Sequence, residues 1–179
     1  MRKLTSVFAV ITFCAAMAYG QKEMPDFSGT WSLDVTRSEM GRRPVKSMTM
    51  NVIQDASLLS YQRKTEFDEG ARFGAGRRGM GRGRIGDGGQ PLAFDLSGKE
   101  TSSASAAGMG GDVKLSANLD GEHLRLSVTR SFNGMMGEMT IKTVELWSLS
   151  ENSKTLTVSS ESETPRGTRS SKMVFTRSD

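Results

Sequence analysis

The chain is 179 residues long, with a formal charge of +4, one His, one Cys, 20 Gly and 4 Pro. Only 36% of it is hydrophobic and 7% aromatic, a supply that suits one lean domain and not two large ones. A single cysteine excludes a disulfide scaffold, and a composition this polar excludes a helical membrane protein.

Met1-Arg2-Lys3 followed by the apolar run Leu4–Ala18 and the small-residue exit to Gly20 has the pattern of an export signal, with cleavage expected at Gly20. The run is shorter than the roughly 20 apolar residues that span a bilayer. Cys14 lies inside it after Thr12-Phe13, where a lipidation site wants small residues. The expected mature chain, 21–179, is one secreted or periplasmic domain without cysteine, so it has no disulfide, thiol nucleophile or thiolate metal ligand.

Period-2 alternation then recurs along the chain, and helical periodicity does not. Phe27, Gly29, Trp31, Leu33 and Val35 share one face of a first strand, and a short helical turn is expected at Ser38–Arg43. Met48, Met50 and Val52 alternate with Ser47, Thr49 and Asn51, and Leu59, Tyr61 and Phe67 share a phase. Gly70–Gly89 holds nine glycines and five arginines against one aspartate, so most of the basic excess belongs to one segment. That much glycine makes ordering costly and predicts a flexible, solvated loop. Its Arg77, Arg78, Arg82 and Arg84 also offer a contact for anionic polymers or a membrane surface; nucleic acid is not expected, since only Phe73 could stack on bases.

Leu92, Phe94 and Leu96 form the next phase, and Ser97–Gly111 reads as a surface connection. Val113, Leu115, Ala117 and Leu119 run into Asp120-Gly121, and Leu124, Leu126 and Val128 run out of it. Asp-Gly supplies the backbone of a tight hairpin turn. Asn133–Gly137 predicts another hairpin tip. Between Met139 and Leu149 the apolar phase shifts from Ile141 to Val144 and Leu146, which predicts a β-bulge. Leu156 and Val158 follow the turn Glu151–Lys154, and Pro165-Arg166-Gly167 precedes a last strand at Lys172–Arg177. These elements predict an all-β fold: a single antiparallel meander β-barrel of about 8–10 strands, whose closure removes exposed edges. The faces opposite the apolar ones read Ser, Thr, Lys, Asp and Asn, which argues against a membrane-spanning barrel.

Phe27-Ser28-Gly29-Thr30-Trp31, opening the first strand, resembles the Gly-x-Trp signature of lipocalin-like (calycin) barrels. The stretch to Ser38, together with Leu146–Ser150 and Lys154–Val158, is similar to a group of secreted bacterial lipocalin-like proteins of unassigned function. The resemblance implies that Trp31 closes the barrel base beneath an Arg from a late strand, for which Arg177 is the candidate. It also implies an interior that binds a small hydrophobic molecule, with Tyr61, Phe94, Leu126 and Trp147 as the expected wall. The chain departs from the family in lacking a helix after its last strand and in its Gly/Arg insertion.

No catalytic set is expected. His123 follows a turn and points away from the face of Leu124 and Leu126; the paired carboxylates Glu66/Asp68/Glu69 and Glu161/Glu163 sit beside turns, where acids are ordinarily solvated. One His and no mature Cys exclude the usual zinc sites. Met48 and Met50 fall in phase with Val52 as core fillers, a more economical reading than thioethers for Cu(I). Neither cofactor nor metal is expected, and the chain reads as a binding module and not as an enzyme.

Overall fold

A computed structural model of the protein describes residues 24–41, 45–67, 91–104, 112–120, 122–134 and 137–178. The expected signal with Cys14, and the Gly70–Gly89 segment with Arg77, Arg78, Arg82 and Arg84, lie outside the described residues. So do Gly121 and Met135-Met136 at two of the hairpin tips.

The strands are β1 Gly29–Leu33, β2 Val45–Gln54, β3 Leu58–Phe67, β4 Leu92–Asp95, β5 Thr101–Ala104, β6 Asp112–Asp120, β7 His123–Gly134, β8 Gly137–Leu149, β9 Thr155–Thr164 and β10 Gly167–Ser178. They form one antiparallel sheet in the order β4-β3-β2-β1-β10-β9-β8-β7-β6-β5. The chain is thus an up-and-down meander curled until its first and last strands pair, with Trp31 opposite Arg177 and Leu33 opposite Phe175. The curl brings β4 against β6. Among the described residues no backbone ladder joins these two, so the barrel is nearly closed.

Alternation places one side chain in two inside. Trp31, Met50, Val52, Leu59, Tyr61, Phe94, Leu124, Leu126, Trp147, Leu156, Val158 and Phe175 are buried in one continuous core. Turn chemistry sets the registers. Asp55 Oδ1 accepts from the Ser57 and Leu58 amides at 2.7 and 2.8 Å, tying the β2–β3 hairpin. Asp120 pairs with His123 across the predicted Asp-Gly turn.

Several local expectations are corrected. Val35 leaves the first strand: Asp34 caps a single 3-10 turn, Val35–Arg37, by accepting from the Thr36 and Arg37 amides, and Val35 is exposed. The helical turn therefore sits before Ser38, because the capping carboxylate is at position 34. Phe67 and Leu119 keep the inward phase but stand at strand ends beyond the packed interior, and are exposed. Part of Ser97–Gly111 is strand: Thr101–Ala104 pairs with Asp112–Leu115, since an edge strand needs only its backbone to bond. No bulge interrupts β8, which pairs with β7 without a register shift from Trp147 opposite Leu124 to Gly137 opposite Gly134. The phase shift has another cause. Glu145 takes an inward position that alternation reserves for an apolar residue, while Val144 and Leu146 face outward.

Candidate functional site

At the base of the barrel, the Arg177 guanidinium carbon lies 4.6 Å from the centroid of the Trp31 ring. Trp31 Nε1 donates to the Phe27 carbonyl at 2.9 Å, and Arg177 Nη2 donates to the Asp26 carbonyl at 3.1 Å. The segment before β1 is thereby drawn across the base, with Phe27 wholly buried. Gly29 permits this. Its φ of +125° is one that side chains rarely adopt, and a Cβ there would stand 3.6 Å from Arg177 Nη1.

Above the base, the four expected wall residues are all buried. Tyr61 stacks on Phe94 with centroids 5.8 Å apart, and its ring lies 5.1 Å from that of Trp147. Phe27 meets Trp147 edge-on at 5.8 Å. Leu126 stands opposite Glu145 and Ala117 in the register and shares their inward face. The structure therefore brings Tyr61, Phe94 and Trp147 into one aromatic column, with Leu126 in the same core.

Two residues that sequence reasoning did not single out join this column. Arg63 on β3 reaches across the interior to Glu145 on β8, Nη1 to Oε1 at 2.7 Å and Nη2 to Oε2 at 2.8 Å. Glu145 Oε2 also accepts from Trp147 Nε1 at 2.9 Å and from the Tyr61 hydroxyl at 3.4 Å. Arg63 Nε donates to Met50 Sδ at 3.3 Å, and the guanidinium carbon lies 4.6 Å from the Tyr61 ring centroid. The pair is a charged strut between walls that are distant along the sheet, its side chains only 10% and 5% exposed. Burial is the largest influence on Glu145 and pushes its pKa up. The Arg63 charge and the bonds from Arg63, Trp147 and Tyr61 together outweigh it, and the pKa is lowered. The signals for this pair were present: Arg63 falls in the phase of Leu59 and Tyr61, and Glu145 sits where β8 changes phase.

Beyond the strut the inward positions of β8–β10 mix hydroxyls with the buried Ile141. Thr143, Ser160, Ser162 and Ser171 are half-buried, and Thr143 Oγ1 lies 3.0 Å from Ser162 Oγ.

The other candidates lie elsewhere. His123 is exposed at a hairpin end. Glu161 and Glu163 face outward and, with Lys142, Val144, Leu146 and Lys172, help to line an open groove of about 600 Å³ on the outside of β7–β10. Glu66 is exposed and accepts from Ser47 Oγ at 3.1 Å, while Asp68 and Glu69 lie outside the described residues. Met50 is wholly buried, and Met48 packs against the same core. No group of three or more His, Cys, Asp or Glu among the described residues is placed to hold a metal ion. No helix among them is long and apolar enough to cross a membrane. No family model matches the chain, and no curated protein matches it.

Proposed function

We propose that residues 1–20 direct export and that the rest of the chain is a lipocalin-like binding module, which holds a small, largely apolar molecule against Tyr61, Phe94, Leu126 and Trp147. The observation that carries this reading is the charged pair among the aromatic rings. A barrel interior selected for stability alone would be apolar, because replacing a buried ion pair by apolar residues of similar volume is often neutral or stabilising by about 1–4 kcal/mol. Apolar walls with a few convergent polar groups are what ligand sites require. Here the polar groups are Arg63, Glu145 and the Tyr61 hydroxyl, which converge beside three stacked or tilted rings.

The reading is tested by titrating the mature protein with N-phenyl-1-naphthylamine, following probe emission and tryptophan quenching, and by native mass spectrometry of co-purified lipid. Phe94→Ala and Trp147→Phe should weaken binding about tenfold, the scale of one lost aromatic contact. Trp31→Phe, at the base, should leave it within about twofold. A protein that retains no lipid and takes up no probe, or variants that all bind alike, would overturn the proposal.

A further inference from the structure

We infer that the way into the interior is the lateral seam between β4 and β6, and that the Arg63–Glu145 pair is the latch that keeps this seam shut. The inference rests on the binding reading above and assigns its route and its regulation.

The seam is the weakest line in the wall. Each other pair of neighbouring strands is joined by a backbone ladder; β7 and β8, for example, pair continuously from Leu124–Trp147 to Gly134–Gly137. β5 covers only Asp112–Leu115 of β6, leaving Ser116–Asp120 beside β4 without a described ladder. Parting β4 from β6 therefore breaks no ladder among the described residues, whereas any other line costs a row of backbone hydrogen bonds. At one end the seam is closed by close approach. Gly98, at φ +86°, lies where a Cβ would be 3.1 Å from Asn118 Oδ1.

Directly behind this line stand the proposed ligand contacts. Phe94 is an inward residue of β4, and Tyr61 stacks on it. Ala117 is an inward residue of β6, and Leu126 is its register partner. Opening the seam would present this aromatic and aliphatic surface to a small planar apolar molecule.

The latch spans the same line. β3 carries β4 at its edge, and β8 supports β6 through β7. Arg63 and Tyr61 on β3 both bond to Glu145 on β8, so these bonds join the two sides of the seam through the interior. Weakening them should loosen β3–β4 from β6–β8 while leaving the ladders intact, a local opening and not global unfolding.

The test uses stopped-flow uptake of N-phenyl-1-naphthylamine by the wild type, by Glu145→Gln, and by Arg63→Lys, which keeps the charge but loses the two-pronged geometry. A fourth protein, the mature chain carrying Ala93→Cys/Asn118→Cys, is closed across the seam with a bismaleimide; both positions are exposed. Uptake should be about tenfold faster in the latch variants and about tenfold slower in the linked protein, and should return to the wild-type rate when the linker is omitted. Amide exchange in β4 should precede that in β1 and β8, and should accelerate selectively when the latch is weakened. Intact binding with rates indifferent to the linker would overturn the seam while sparing the binding reading. A wild type that takes up no probe would overturn both. If Glu145→Gln fails to fold, Arg63→Lys and the linked protein decide.

Discussion

Glu145 and Arg63 show how one pair of side chains can set the character of an interior. Two ions withdrawn from water each carry a penalty of several kcal/mol, roughly offset here because every carboxylate oxygen meets a guanidinium N–H and Oε2 meets two further donors. Removing one partner strands the other. Glu145→Ala should therefore cost about 3–5 kcal/mol in guanidinium denaturation, while Arg63→Met/Glu145→Leu should cost markedly less than either single change. The pH dependence has a definite sign. Because the folded-state pKa of Glu145 lies below its ordinary 4.5, its contribution is fully present above that pH and is lost as the pH falls through the lowered value. The stability of the wild type relative to the double variant should stay constant from about pH 7 to about pH 5 and fall at lower pH. A wild type that gains on the double variant as the pH is lowered would contradict this assignment.

At the scale of the strand, β8 is where alternation and structure part company. In β6 and β7 the apolar positions are the inward ones: Val113, Leu115 and Ala117 on one, Leu124, Leu126 and Val128 on the other. Alternation is decisive there because one face is wet and the other dry. β8 breaks the rule on both faces, with Glu145 inside and Val144 and Leu146 outside, lining the outer groove. A bulge and a buried charge produce the same phase shift in a single sequence, since either one displaces the apolar residues by one position. The unbroken β7–β8 register excludes the bulge. Exposed-face substitution should accordingly be mild. Leu146→Thr should change stability by less than about 1 kcal/mol, whereas Leu126→Ala, its neighbour on the inner face, should cost about 2–5 kcal/mol. Comparable losses at the two sites would restore the bulge.

At the scale of the whole molecule, the barrel is joined by backbone where β1 meets β10 and only nearly closed where β4 lies against β6, with no ladder among the described residues. The backbone closure is the pairing of β1 with β10, reinforced by Arg177 over Trp31. Removing residues 174–179 deletes Phe175 and Arg177 and leaves β1 with β2 as its only described ladder. The truncated protein should lose its single cooperative unfolding transition, read by far-ultraviolet circular dichroism during urea denaturation. Retention of a sharp transition at the wild-type midpoint would show that the β1–β10 closure contributes little.

What the residues determine by themselves is local. Period-2 patterning and turn residues such as Asp55, Asp120 and Gly167 specify where strands run and where they reverse, because both depend on neighbours a few positions apart. The all-β meander and most of the core, including Tyr61, Phe94, Leu126 and Trp147, follow from that. The strut and the seam do not. Arg63 and Glu145 are 82 positions apart, and each alone reads as an ordinary charged residue on a strand. Only the curl of the sheet sets them face to face, and only the meeting of its two ends decides which strands touch without pairing. These are consequences of how far a twisted sheet must bend to cover its apolar face.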